Sequence, residues 1–206
     1  MCAILVAIPR GAMERHRKQL ANTLVLASAL IAAVATFLLI PSLQAQTQAQ
    51  PKGIDSALIA KANAGDPSSQ VSVGIAYEKG EGVPQDYAQA SAWYRKAAEQ
   101  GNATAQYSLG YLYENGKGMP QDYAQAAVWY RKAAEQGKAF AQFMLGYLYD
   151  NGPGVPQDYA QAAFWYRKAA EQGYEAAQFF LGRLYALGHG VPQDLAQAAF
   201  WWFKAA

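Results

Sequence analysis

The sequence predicts an all-α fold, a solenoid of stacked helix pairs, and three observations support this prediction. First, near copies of one segment start at Val83, Met119, Val155 and Val191, always 36 residues apart, and the third reads VPQDYAQAAFWYRKAAEQG. Second, each copy follows a stretch with apolar residues at helical spacing, and a Gly-x-Gly sequence separates the two. Third, a fixed period of about 20–50 residues is typical of stacked repeats, because one unit alone cannot bury its apolar face.

The period divides the chain into four repeats, at residues 65–100, 101–136, 137–172 and 173–206. Residues 54–64 lie one period before the second helical segment of repeat 1, and we expect them to form an N-terminal capping helix. Asp66 and Pro67 then suit the N-cap and the first position of the next helix. Residues 46–53 are polar and are predicted to be a flexible linker.

The first 45 residues have the features of a secretory signal peptide. A basic start precedes an apolar run over residues 24–40, which a proline and small polar residues follow. Translation from Met13 gives a leader of more usual length than translation from Met1, and cleavage is expected after Ala45. The alternative is an uncleaved single-pass anchor, because the run is near the lower limit of ~17–25 residues for a spanning helix. Both interpretations place the repeats outside the cytoplasm, in the periplasm or secreted.

The charge distribution argues against a nucleic-acid partner. The leader carries four basic side chains and one acidic one, whereas residues 46–206 carry 13 basic and 14 acidic side chains. Nucleic acid binding needs clustered Lys and Arg, which the repeats do not have. The single cysteine, Cys2, lies in the leader, so the repeats contain neither a disulfide framework nor a cysteine metal site.

Each repeat is predicted to contain two helices, A and then B, and repeat 2 shows why. Asn102 is a candidate N-cap for helix A, which the Gly-Lys-Gly stretch ends. Asp122 is a candidate N-cap for helix B, with Gln125 placed to complete a capping box. Gly137 fits the left-handed position that follows the end of helix B.

One column of the repeats holds glycine in the middle of helix A. Its members are Gly74, Gly110, Gly146 and Gly182. Glycine in a helix costs about 1 kcal/mol relative to alanine. Four repetitions of that cost predict that a neighbouring helix approaches too closely for a side chain.

The unit AQYSLGYLYENGKGMPQDYAQAAVWYRKAAEQG resembles the Sel1-like repeat, a relative of the tetratricopeptide repeat, over residues 65–206. The resemblance implies a right-handed α/α superhelix that serves as a scaffold for other proteins. Exported bacterial members of the family are associated with the cell envelope. One cysteine-rich exported branch is linked to β-lactam binding and hydrolysis, but its cysteines are missing from these repeats, so an enzyme of that kind is only the second alternative.

The residue pattern predicts no catalytic residue, metal site or cofactor. His189 shares a loop column with Glu81, Lys117 and Pro153, and such variety is typical of a solvated position. The recurring aspartates before helix B are predicted to be caps: Asp86, Asp122, Asp158 and Asp194. The glutamates near the end of helix B are predicted to form solvated pairs with arginines one turn earlier: Glu99, Glu135 and Glu171 with Arg95, Arg131 and Arg167.

A protein partner is predicted to bind where the repeats differ from one another. At 100° per residue, the leucines of helix A, such as Leu109, lie on the side expected to face helix B of the same repeat, and a second stripe lies almost opposite. This stripe supplies the predicted partner-binding residues, which are Tyr107, Tyr111, Glu114, Phe143, Tyr147, Asp150, Phe179 and Arg183. In the other interpretation, these rings only fill the seam between neighbouring A helices.

Other surfaces leave alternatives open. Aromatic rings stack on sugars, so a carbohydrate- or peptidoglycan-binding module is the first alternative to a protein scaffold. One helix B column becomes larger along the chain and either meets the next repeat or forms an exposed apolar strip: Ala92, Val128, Phe164 and Phe200. Trp201, Trp202 and Phe203 stand in the final turns. Either the chain is truncated there, or another chain covers this end, which makes self-association an expectation.

Overall fold

The computed structural model describes residues 53–206, which form helices and connecting loops and contain no β-strand. The all-α prediction is therefore confirmed for this part of the chain. The predicted signal peptide and residues 46–52 of the predicted linker lie outside the described residues. The helices are α1 (Ser56–Asn63), α2 (Pro67–Lys79), α3 (Tyr87–Glu99), α4 (Ala103–Asn115), α5 (Tyr123–Glu135), α6 (Ala139–Asn151), α7 (Tyr159–Glu171), α8 (Glu175–Leu187) and α9 (Leu195–Lys204).

Helix A of each repeat is α2, α4, α6 or α8, and two of these four begin at the predicted cap. The side chains of Asp66 and Asn102 accept hydrogen bonds from backbone N–H groups three residues further on, which satisfies donors that the first helical turn leaves free. In repeats 3 and 4, Lys138 and Tyr174 hold the same position and make no side-chain cap bond.

Helix B of each repeat is α3, α5, α7 or α9, and an aspartate caps each one as predicted. Asp122 accepts a hydrogen bond from the Gln125 backbone N–H at 2.9 Å. The predicted capping box is wrong in its second half, because the Asp122 N–H donates to the Tyr113 carbonyl at 2.9 Å instead of to the Gln125 side chain. This bond ties the start of helix B to helix A, and every repeat has it: Asp86 to Tyr77, Asp122 to Tyr113, Asp158 to Tyr149, and Asp194 to Tyr185.

The Gly-x-Gly loop needs both of its glycines. Gly116 ends α4 with φ 62° and Gly118 follows with φ 73°, which is the left-handed region that favours glycine. A Cβ on Gly118 would also lie 2.4 Å from the carbonyl carbon of Tyr87. The loop of one repeat therefore rests on the start of helix B in the preceding repeat.

The hydrophobic core is shared between neighbouring repeats. Leu109 and Leu112 of α4 are fully buried in one cluster with Ala97 and Ala98 of α3, and Trp129 of α5 closes it. The leucine side of helix A thus faces helix B of the preceding repeat, and its own helix B contributes one tryptophan. The prediction that this side faces mainly its own helix B is wrong, since a helical wheel gives the angle of a side chain but not the identity of its neighbour.

The glycine column is where helix A meets its own helix B, as the close-approach prediction requires. A Cβ on Gly110 would lie 2.7 Å from the ring of Tyr130, which is fully buried. Equivalent contacts join Gly74 to Tyr94, Gly146 to Tyr166 and Gly182 to Trp202. The missing side chain allows a large aromatic ring to lie directly on the backbone of helix A.

Buried glutamines connect successive repeats. Gln106 donates to the Ala98 carbonyl at 3.1 Å and accepts from Gln136 at 2.8 Å. The same pair of hydrogen bonds recurs around Gln70 and Gln142. In repeat 4, the Oε1 atom of Gln178 has no partner among residues 53–206.

Candidate partner-binding surface

The eight predicted partner-binding residues line one side of the A helices, a surface called the A-face below. Tyr147 is 38% exposed and Phe179 is 53% exposed. Most of the others are half-buried, namely Tyr107, Tyr111, Glu114, Phe143 and Arg183, whereas Asp150 is buried. The predicted set is therefore mixed, with two members open to solvent and the rest partly or wholly covered.

The A-face does not lie opposite helix B, so the predicted orientation is wrong. The ring of Tyr107 stacks on that of Tyr130 with centroids 5.7 Å apart. Glu114 accepts a hydrogen bond from the Tyr130 hydroxyl at 2.6 Å. The reason is the glycine column, because Gly110 lets the Tyr130 ring cross over helix A and emerge between these two side chains.

Phe143 fits the seam interpretation. Its ring contacts Tyr166 of its own helix B at 5.7 Å and Phe180 of the next helix A at 5.7 Å. It also contacts Tyr174, at 5.2 Å. Such tilted and edge-on pairs stabilise by about 0.5–1.5 kcal/mol beyond their buried area. Phe143 therefore seals the junction of repeats 3 and 4, and it holds neighbouring rings in place.

Phe140 belongs to the same surface, although it is not among the eight predicted residues. Its ring is 46% exposed and lies between Tyr107, at 5.1 Å, and Tyr174, at 5.3 Å. The available signal was the variety of its column, which reads Ser68, Thr104, Phe140 and Ala176. An aromatic residue in a column of small residues indicates a local role rather than a packing rule common to all repeats.

Tyrosine–carboxylate pairs form a row along the A-face. In each of repeats 1 to 3, a helix B tyrosine donates to a helix A acid: Tyr94 to Glu78, Tyr130 to Glu114, and Tyr166 to Asp150. Burial, and then the adjacent carboxylate, raise the pKa of each phenol. In repeat 4, Ala186 and Trp202 replace both members, and the Trp202 indole N–H donates to the Phe179 carbonyl at 3.1 Å.

Two basic side chains lie near this row, and one of them contacts a row member from the following repeat. Arg183 forms an ion pair with Asp150, and its guanidinium lies 4.7 Å from the ring centroid of Phe180. Lys117 donates to the Tyr111 hydroxyl at 3.0 Å, and this bond raises the pKa of Lys117. Burial, followed by the charge of Glu114, raises the pKa of Tyr107 to about 12. The phenol of Tyr107 is therefore neutral at physiological pH.

The helix B column whose side chains become larger along the chain, from Ala92 to Phe200, forms an exposed apolar strip. Val128, Phe164 and Phe200 are each nearly half exposed, which supports the alternative of an exposed strip. The arginines of helix B do not pair with the glutamates of the same helix in the described part of the chain. They donate instead to tyrosine hydroxyls of the next helix A: Arg95 to Tyr113, Arg131 to Tyr149, and Arg167 to Tyr185.

His189 lies against an aromatic ring rather than in a cluster of polar side chains. The ring of His189 lies 4.5 Å from that of Tyr159. Across residues 53–206, no group of three His, Cys, Asp or Glu side chains is placed to hold a metal ion. What the geometry offers is a surface of held rings and carboxylates that can contact another molecule.

The fold defines an α/α solenoid in which every helix pair repeats one pattern of caps, glycines and buried rings. The model of the Sel1 repeat matches residues 67–102, 103–138, 139–174 and 175–206, a division shifted by two residues from the one made at Gly65. The chain belongs to the Sel1 repeat family, whose members are generally scaffolds for protein interaction.

Solved structures agree with this assignment. A protective antigen of uropathogenic Escherichia coli with an SLR fold is 45% identical, with a TM-score of 0.70, over 72% of this chain and 32% of that one. A Sel1 repeat protein from Oxalobacter formigenes is 42% identical, with a TM-score of 0.67, over 69% and 58%. One from Klebsiella pneumoniae is 27% identical, with a TM-score of 0.52, over 73% and 72%. The chain thus spans about a third of the first relative and somewhat more than half of the second. A search of curated proteins found no significant match.

Proposed function

We propose that this chain is a non-catalytic scaffold of the cell envelope that binds a protein partner through the A-face. The observation that carries the proposal is the trio of exposed rings, Phe140, Tyr147 and Phe179, beside a cluster of buried ones. Rings dominate the energetic centres of protein interfaces. Rings that neighbours already hold lose little conformational freedom on binding, which reduces the cost of association.

The test compares two pairs of rings with similar exposure. Tyr147→Ala with Phe179→Ala removes exposed rings from the A-face, and Phe164→Ala with Phe200→Ala removes them from the strip on helix B. Interface anchors cost ~2 kcal/mol or more when truncated, or roughly a 30-fold loss of affinity. A partner captured from envelope extract should bind the second double variant normally and the first one weakly, while circular dichroism shows both folded. Equal capture by the A-face variant would move the site away from this surface.

A glycan ligand is the alternative that the same surface supports, because exposed ring faces stack on sugars. Glycan arrays probed with the parent and the A-face variant separate the two classes. Binding to peptidoglycan fragments that the A-face variant loses would replace the protein-partner proposal.

Export to the envelope rests on the order of basic, apolar and small residues over residues 13–45. Within residues 53–206, every helix is too short or too polar to cross a bilayer. N-terminal sequencing of protein from its native envelope should find the chain starting after about Ala45. A terminus at Met1 or Met13 in a membrane fraction would contradict cleavage and support an anchor.

Association between copies is a further proposal for the surface formed by α8 and α9. Phe203 is 84% exposed, and Leu187, Leu195 and Trp202 are also open to solvent. Light scattering of purified protein should show dimers or larger species whose fraction rises with concentration, and Phe203→Ser should reduce it. A strictly monomeric parent at high concentration would refute this proposal.

A further inference from the structure

At the junction between repeats 3 and 4, a tyrosine–carboxylate pair of one repeat binds a cationic side chain of the next. Asp150, whose side chain is 4% exposed, receives the Tyr166 hydroxyl and also the guanidinium of Arg183 from the next helix A. The ring of Phe180 lies beside that guanidinium at 4.7 Å. A carboxylate, a phenol and a ring face together favour a planar cation, because the charge pair and the cation–π contact add.

The junction between repeats 2 and 3 has the same phenol and a glutamate in place of the aspartate, but it lacks the cation, and Met144 stands in the column of Phe180. Glu114 accepts from Tyr130 just as Asp150 accepts from Tyr166. The column of Arg183 holds Tyr147 here, and the column of Lys117 holds Pro153. Among residues 53–206, no Lys, Arg or His nitrogen lies within 4 Å of the Glu114 carboxylate.

Glu114 is consequently a half-buried carboxylate with one neutral partner. Burial raises its pKa, and the bond from Tyr130 only partly opposes this effect. At the first junction, Lys117 reaches the Tyr111 hydroxyl and lies in the field of Glu78. Of the three carboxylates in the row, only Asp150 has a Lys or Arg nitrogen of residues 53–206 within 4 Å, and Glu114 also lacks the nearby lysine that Glu78 has in Lys117.

The surroundings of Glu114 suit an incoming side chain. Burial, and then the charge of Glu114, raise the pKa of Tyr107, and Tyr111 lies one turn before Glu114 on the same helix. Tyr147, in the column of Arg183, is 38% exposed, so this position is reachable from solvent. Tyrosine faces attract guanidinium and ammonium groups, more strongly where water is partly excluded.

We propose that Glu114 is the receptor for an arginine side chain of a partner polypeptide, which pairs with the Glu114 carboxylate as Arg183 pairs with Asp150 and lies beside the exposed ring of Tyr147. The inference rests on the proposed function of the A-face and names the chemistry of its partner, a protein segment with an exposed arginine. The guanidinium is favoured over an ammonium because the chain itself uses arginine at the equivalent junction, where a planar fork fits a carboxylate and a ring together.

The direct test uses N-acetyl-arginine amide as the probe and N-acetyl-citrulline amide as its neutral isostere. Titrations of the full chain are followed by ¹H–¹⁵N chemical shifts. The arginine probe should shift amides around Glu114 and Tyr147, and citrulline should not. Glu114→Gln should weaken arginine binding by about tenfold or more, whereas Glu135→Gln, a matched change on the exposed side of α5, should leave it unchanged.

A second variant rebuilds the neighbouring junction. Tyr147→Arg should place an internal guanidinium on Glu114, as Arg183 is placed on Asp150, and so abolish binding of the probe while the circular dichroism spectrum stays that of a folded protein. The inference is overturned if citrulline produces the same shifts, if Glu114→Gln binds arginine as tightly as the parent, or if folded Tyr147→Arg still binds it.

Failure of this inference can be told apart from failure of the proposed function. If the captured partner requires Tyr147 and Phe179 but binds the Glu114→Gln variant normally, the A-face is the binding surface and Glu114 is not an arginine receptor. If the chain binds the arginine probe at Glu114 but the captured partner binds the A-face double variant as tightly as the parent, Glu114 binds arginine and the A-face rings do not bind that partner.

Discussion

Gly146→Ala tests whether the glycine column is required by a ring that cannot move. The added Cβ would lie 2.7 Å from Cδ1 of Tyr166 and 3.3 Å from the Ala162 carbonyl oxygen. Tyr166 is fully buried, and its hydroxyl bonds to Asp150, so the ring cannot swing away. Overpacking costs about 1–3 kcal/mol, and the better helix propensity of alanine offsets up to ~1 kcal/mol. The variant should therefore lose up to ~2 kcal/mol of unfolding free energy.

Gly182→Ala is the matched comparison, in the same column and with the same contact distance. Its added Cβ would lie 2.7 Å from Cδ1 of Trp202 and 3.1 Å from the Ala198 carbonyl oxygen. The Trp202 ring is 40% exposed, so it can move outward, although this movement strains its hydrogen bond to the Phe179 carbonyl. The overpacking cost should then be smaller, so this variant should lose less unfolding free energy than Gly146→Ala. Urea unfolding followed by circular dichroism measures both. The reasoning is refuted if Gly146→Ala is as stable as Gly182→Ala.

Three further predictions concern hydrogen bonds and charge. Gln142→Leu should cost about 1–3 kcal/mol, because it removes two hydrogen bonds, one to the Ala134 carbonyl and one from the Gln172 amide. Gln178→Leu, which loses a single bond, should cost less in the same urea titration. Asp158→Ala removes the cap of α7 and should lower the unfolding free energy by about 1 kcal/mol, and Asp158→Asn, which can still cap, should restore most of it. Glu114→Gln should stabilise the fold at neutral pH. Since burial raises the pKa of Glu114, its carboxyl contributes most below the unfolded value of 4.5, and that contribution is lost as pH rises through the folded pKa. Thermal unfolding between pH 4 and 8 should therefore show the advantage of Glu114→Gln vanishing on the acidic side, and an advantage independent of pH would contradict the assignment.

Residues that act within one helix were predictable from the sequence. The caps Asp66, Asn102 and Asp122 and the left-handed Gly137 follow from local backbone chemistry, which depends only on a few neighbouring residues. The glycine column was also readable, because four repetitions of an unfavourable choice required a tertiary cause. The repeat period then determined the all-α architecture, since identical helix pairs can bury their apolar faces only by stacking.

The neighbour of each helix face was decided by the tertiary structure. The angle of Leu109 on its helix was right, but two B helices lie within reach, and packing placed α3 rather than α5 against most of that side. Likewise Arg131 was within reach of Glu135 along its own helix, yet it bonds to Tyr149 of the next repeat. The pairing of Tyr130 with Glu114 follows from the ring lying over Gly110. Sequence spacing sets which residues share a face. Only the tertiary structure places Arg183 on Asp150, and this ion pair identifies Glu114 as the equivalent carboxylate without a cation.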